Sequence, residues 1–190
     1  MKKTFPILFL AGLANAASLP LALIPQIGWV IGKYPNNVPE RKEKWSLGGF
    51  EVGAKASYNF PDTKFYLEPG IYYSYVEGKY KDKIFNEKKE GYHFLKLPVG
   101  FLYKAYKDDD FSFKAGLGPY LAYNLDKNKD TEMWDLGLSL EGSLVYIDRF
   151  VLGVRFDLGL KDLNKNEDIK VKSKVFVINL GYKFDFFDLY

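Results

Sequence analysis

From Trp45 onward the chain alternates apolar and polar side chains with period two, the pattern of strands that have one apolar face and one polar face. In the clearest segment Phe50, Val52, Ala54, Ala56, Tyr58 and Phe60 share one face, and Gly49, Glu51, Gly53, Lys55, Ser57 and Asn59 share the other. The same alternation runs through Phe65 to Tyr75, Leu95 to Ala105, Phe111 to Tyr123, Leu136 to Tyr146, Leu152 to Leu160 and Phe176 to Phe186. Ile27, Trp29 and Ile31 mark a first strand, whose start Pro25 obscures. Helical periodicity is hard to find, and the pattern predicts about eight strands.

The connections alternate as strictly as the side chains. Short ones fall at 61–64, 107–109 and 147–149; long ones, rich in Lys, Asn, Asp and Glu, fall at 35–44, 79–91, 126–133 and 161–173. Short turns on one side and long loops on the other are the signature of an outer-membrane barrel, with turns and chain ends in the periplasm and four loops outside. A soluble sandwich has no reason for such asymmetry.

Period two does not say whether the apolar face meets a core or lipid. Glycine placement bears on this: Gly49, Gly53, Gly70, Gly100, Gly116, Gly118, Gly137, Gly153, Gly159 and Gly181 all share the parity of the charged residues. Small residues suit strands curving around a narrow lumen, so the charged face is read as the inside. Rings on the apolar face gather at strand ends. Tyr58, Phe60, Phe65, Tyr103, Phe111, Phe113, Tyr146, Phe150, Phe184 and Phe186 flank the short turns, and Trp45, Tyr73, Tyr75, Tyr123 and Trp134 flank the long loops. Two such girdles mark the two membrane interfaces, with Leu, Val, Ile and Ala between. The expected fold is all-β: an eight-stranded antiparallel up-and-down transmembrane β-barrel.

The amino end adds a route to that membrane. Met1-Lys2-Lys3, an apolar stretch over 5–13 and Ala14-Asn15-Ala16 form the n-region, h-region and A-x-A site of a secretory signal peptide. The expected organisation is a cleaved leader at 1–16 and one barrel domain at 17–190. No later run approaches the ~20 apolar residues of a spanning helix. Without cysteine there are no disulfides, zinc-thiolate sites or acylated cysteine anchor. The formal charge of +3 comes from 27 basic and 24 acidic residues; loss of Lys2 and Lys3 leaves 25 against 24, which argues against nucleic acid as a partner.

The segment Asn179-Leu180-Gly181-Tyr182-Lys183-Phe184-Asp185-Phe186 resembles the outer-membrane assembly signal: a polar residue, Gly two later, then aromatic or apolar residues three and five beyond, here followed by 187–190. Asn179, Gly181, Phe184 and Phe186 carry the match, which implies recognition by the barrel-assembly machinery. Leu95-Lys96-Leu97-Pro98-Val99-Gly100 and Ala115-Gly116-Leu117-Gly118-Pro119-Tyr120 resemble segments of the small outer-membrane β-barrel domain family, which includes PorT-like proteins and is similar in architecture to OmpA-like and OmpX-like barrels. That likeness implies a fold and a location, and leaves activity open.

Parity puts Glu51, Lys55, Glu68, Lys96, Asp135, Glu141, Arg155 and Asp157 in a lumen charge network, with Lys104, Lys114 and Lys183 on the same side. A three-residue loop at 147–149 sets Glu141 across from Arg155, and an ion pair is expected there. Phe60 opposite Phe65 sets Ser57 against Glu68, with Lys55 one diagonal away as a second ion partner. Eight strands enclose just enough room for side chains, so these charges are expected to fill the lumen. A narrow gated pore using the same charges is one alternative.

A second alternative is a lipid-modifying enzyme of the lipid A deacylase or acyltransferase type, which needs a nucleophile with its base. The one histidine, His93, has the outward parity of Leu95, and no Ser or acidic residue lies within two positions on its face. It is read as interfacial, and no enzymatic activity, cofactor or metal site is expected. Asp108-Asp109-Asp110 is read as a solvated turn. Five Lys against three acids at 79–91, repeated at 161–174, could touch lipopolysaccharide phosphates or simply aid solubility. The expected partners are outer-membrane lipid and lipopolysaccharide, and the chain is expected to be a monomer acting through its loops.

Overall fold

The computed structural model describes residues 21–33, 47–81, 87–126, 133–161 and 172–185. The expected leader at 1–16 and Phe186 lie outside these residues. The strands are β1 Leu21–Lys33, β2 Leu47–Asn59, β3 Phe65–Lys81, β4 Glu87–Lys107, β5 Phe111–Asn124, β6 Trp134–Tyr146, β7 Phe150–Gly159, β8 Lys174–Tyr182 and the two-residue β9 Phe184–Asp185. Each strand from β1 to β8 pairs antiparallel with the next, and β1 also pairs with β8, closing an eight-stranded barrel with no free edge around its body.

β8 and β9 form one strand interrupted at Lys183, and β1 explains the interruption. Gln26 pairs with Gly181 and Leu23 with Phe184, so the same register sets Pro25 opposite Tyr182. The Lys183 amide donates to the Arg149 carbonyl at 2.7 Å, toward β7, so the Tyr182 amide and carbonyl face β1. Pro25 has no N–H to return, and the ladder opens there. The first strand nevertheless runs through Pro25 from Leu21.

Three short turns close one end. At 146–149 the Arg149 amide donates to the Tyr146 carbonyl at 3.1 Å. Ile147 and Asp148 have φ of 50° and 52°, the mirror-image turn whose twist suits a hairpin. At 60–63 the Thr63 amide donates to the Phe60 carbonyl at 3.2 Å, with Pro61 leading and Asp62 at φ 56°. At the other end one expected loop is shorter than read. Pairing of Lys79 with Lys89, Tyr80 with Lys88 and Lys81 with Glu87 carries β3 and β4 beyond their neighbours, and only 82–86 remain of the 79–91 connection. The polar composition of this ribbon hid its pairing, because neither face of a hairpin projecting into water needs to be apolar.

Burial is inverted relative to a water-soluble protein. Trp29 is 74% exposed and Ile27 and Leu180 61%, whereas Glu51 is 0%, Glu68 1% and Lys96 1%. Leu, Val and Ile in the middle of the outer face are exposed, which suits an apolar medium around the barrel. Rings collect at both rims. Phe65 lies 5.8 Å from Phe101 and Phe111 4.8 Å from Tyr146 near the short turns, while Tyr123 lies 4.6 Å from Trp134 at the opposite end. Inside, strands crowd where glycine permits. A Cβ on Gly118 would run into the Val99 carbonyl oxygen, so the β4–β5 wall curves only with glycine there. Below it a bulge between Lys104 and Tyr106 turns Tyr106 outward and breaks the alternation beyond Lys104.

Candidate functional site: a charged layer in the lumen and a polar rim outside

The inward parity of β2, β4 and β7 brings Glu51, Lys96, Arg155 and Asp157 together across the barrel. Arg155 donates from Nη2 to Glu51 Oε2 at 2.8 Å and from Nε to Asp157 Oδ1 at 2.9 Å. Lys96 Nζ lies 3.1 Å from Asp157 Oδ2 and 3.9 Å from Glu51 Oε2. The Ser139 hydroxyl donates to Asp157 at 2.7 Å. The guanidinium rests 5.0 Å from the centre of the Tyr72 ring, whose hydroxyl donates to Gln26 Oε1 at 2.5 Å.

A second group occupies the side toward the short turns. Glu68 on β3 is ion-paired with Lys55 on β2 and with Lys114 on β5, and accepts from the Ser57 hydroxyl at 2.7 Å. Lys55 also reaches Glu141 on β6 at 3.8 Å, and Lys114 lies 4.7 Å from the centre of the Tyr66 ring. Each group holds two acids and two bases, formally neutral by itself. Buried charge is costly unless paired, and pairing across the lumen meets that cost while tying β2 through β7 together.

The register sets Glu141 opposite Arg155, yet the ion pair expected between them is replaced. Arg155 turns to Asp157, two residues along its own face, and to Glu51 on the far wall, while Glu141 faces Lys55. Asp135 also departs from the expected network. It accepts from the hydroxyls of Tyr120 at 2.9 Å and Ser173 at 2.5 Å, and no cation lies in ion-pair contact with it among the described residues. Period two placed Lys114 inside without assigning it a partner. Tyr72, Tyr120, Gln26 and Ser173 were not singled out, although the inward parity of the first three is written in the sequence.

Apolar layers bound the charges. Val30, Val76, Tyr92, Phe94, Val175 and Val177 cluster toward the long connections, and Ile24, Val145 and Val151 toward the short turns. Of the assembly-signal residues, Asn179 is buried in the lumen, Gly181 shares its face and Phe184 is exposed on the outer face. Asp108 is occupied locally, accepting from the Asp109 amide at 2.9 Å and the Tyr106 hydroxyl at 3.1 Å. Among the described residues, no three His, Cys, Asp or Glu side chains are grouped to hold a metal ion.

On the outer face His93 is held between the rings of Tyr73 and Tyr75, with centroids 5.8 and 5.0 Å away. Its Nδ1 lies 2.5 Å from the Tyr73 hydroxyl, and its backbone amide donates to Asp126 Oδ2 at 2.6 Å. The carboxylate therefore fixes the backbone rather than the ring, and among the described residues Nε2 has no hydrogen-bond partner.

Among solved structures, the barrel is similar to Neisserial surface protein A, with a TM-score of 0.52 at 14% identity over 86% of this chain and 97% of that one. It is also similar to Ail of Yersinia pestis in a complex with sucrose octasulfate, a heparin analogue (TM-score 0.45, 13% identity, 87% and 99% covered), and to the outer membrane enzyme PagL (0.40, 13%, 84% and 99%). At such identities the likeness to Neisserial surface protein A shows the fold alone. The sequence matches none of the curated proteins. Residues 15–165 match the family model for the outer membrane protein beta-barrel domain, and with its closed barrel, apolar exterior and charged interior the chain belongs to that family of the bacterial outer membrane.

Proposed function

We propose that this is a non-enzymatic outer-membrane barrel with a side-chain-filled lumen, serving a structural or surface-contact role through its four long connections. The carrying observation is the pair of neutral charge groups in the lumen, in which Arg155 reaches Glu51 across the barrel at 2.8 Å between two apolar layers. Ions crossing such a lumen would have to break buried pairs, which favours packing over conduction. On this reading the chain is exported, its leader is removed near Ala16, the assembly machinery reads the last strand, and the monomer meets lipopolysaccharide with its lysine-rich connections. The lipid-modifying alternative is supported by the Tyr73–His93 contact, but among the described residues no carboxylate bonds the ring to hold the imidazole as a base.

Planar-bilayer recording on refolded protein that shows a boiling-dependent gel shift tests the filled lumen. Silent membranes are expected at neutral pH; discrete, reproducible openings would replace this reading with a pore.

A further inference from the structure

Among the described residues the outer face carries a concavity with a polar group above it. Leu95 and Leu97 of β4, Leu121 and Tyr123 of β5, and Met133 and Trp134 beside and on β6 line a groove of about 290 Å³. Register explains its shape. Leu95 pairs with Tyr123, Leu97 with Leu121 and Tyr123 with Trp134, so three adjacent strands present one patch of the apolar face. The Tyr123 and Trp134 rings, 4.6 Å apart, make one wall. This patch is continuous with the apolar belt that lipid covers, and it lies at the end of the barrel that carries the long connections.

His93 stands two residues above Leu95 on the same face of β4, about 7 Å away along the strand. Tyr73, opposite Leu95, spans that step and bonds His93 Nδ1. When the Tyr73 hydroxyl donates, the neutral imidazole carries its proton on Nε2, which is then a donor at the mouth of the groove. Apolar groove and hydrogen-bond donor thus follow one another in the order acyl chain and ester of a lipid.

We infer that this groove seats one acyl chain of a lipopolysaccharide molecule, with His93 Nε2 donating to an ester or phosphate oxygen at its mouth. The inference rests on the long connections facing outward, since that orientation puts the groove in the outer leaflet. Hydrocarbon surrounds the groove in any case, so transfer from water contributes no preference. Selectivity comes from packing and from the His93 contact at the mouth.

The test uses the full chain, which contains no cysteine, expressed in cells. A photoreactive benzoylphenylalanine is placed at Met133 on the groove, at Phe176 on the same end of β8, or at Phe111 near the short turns. After irradiation, adducts are probed for lipopolysaccharide, and the gel shift reports folding of each variant. Expected are adducts at Met133 about fivefold above those at Phe176, with His93→Ala removing most of that excess, the fold-change equivalent of one net hydrogen bond. Equal yields at Met133 and Phe176, or adducts at Met133 with phospholipid alone, would overturn the seat. Orientation is read separately by labelling a cysteine introduced at Asn36 with an impermeant maleimide on whole cells. A labelled Asn36 with equal adduct yields sinks the groove alone, whereas an unlabelled Asn36 with adducts only at Phe111 sinks the orientation.

Discussion

Arg155 is the side chain whose loss should cost the lumen most. It bonds Glu51 and Asp157 and stacks on Tyr72, so removing it leaves two buried carboxylates with Lys96 at 3.9 and 3.1 Å. Breaking one side of a buried pair costs about 3–5 kcal/mol, because the remaining charge stays buried without compensation. Arg155→Met is expected to destabilise the barrel by that amount in urea titrations read by the gel shift. Adding Glu51→Gln to it should recover part of the loss, since one stranded charge goes too. An unchanged midpoint for the single variant would show that water reaches the site and screens it. Which residues point inward was legible from alternation, because side-chain parity is a local property of a strand. Who meets whom was not. Arg155 to Glu51 and Glu68 to Lys114 join strands that are not neighbours, and such contacts depend on how the closed barrel brings opposite walls together. Asp135 shows the same limit: Ser173 lies in a segment read as loop, and Tyr120 entered only as the last residue of the family-like segment 115–120.

At the scale of a strand, Pro25 is the weak point of closure. The seam between β1 and the last strand carries a gap where Pro25 meets Tyr182, at a position that would otherwise exchange two backbone bonds. Pro25→Ala supplies the missing N–H and is expected to stabilise the barrel by about 0.5–1.5 kcal/mol, the net value of one intramolecular hydrogen bond. Hydrogen exchange offers a direct check, as the new amide at position 25 should be protected to the same degree as that of Ile27. Rapid exchange there would mean that the seam is open for a reason other than proline. Pro25 blurred the first strand in the sequence because proline is normally confined to strand edges; in a closed barrel it sits on an interior strand at the site of a local gap. The β3–β4 ribbon erred the other way. Backbone pairing carries it past the apolar belt, and a segment of polar sequence leaves no period-two signal to read.

For the whole molecule, the decisive property is which medium each face meets, and alternation by itself is blind to it. The same period-two pattern would serve a soluble barrel turned outside in. The choice came from features that are not periodic: glycines on the charged face, rings at the strand ends, and connections that alternate between short and long. The barrel shows why these agree. Closure around a narrow lumen demands small residues and paired charges inside, and the apolar face is then left for lipid. Tryptophan fluorescence can test this inversion. The chain has three tryptophans, Trp29, Trp45 and Trp134, so Trp45→Phe with Trp134→Phe leaves Trp29 as the single reporter. Trp29 is 74% exposed on the outer face of β1 between Phe50 and Ile178, and contact with acyl chains is expected. In vesicles, lipids brominated along their chains should quench most of its emission, while aqueous iodide should quench little. The reverse result would put water on the apolar face and turn the barrel inside out; weak quenching by both would mean that protein, in the form of a second copy, covers that side of β1.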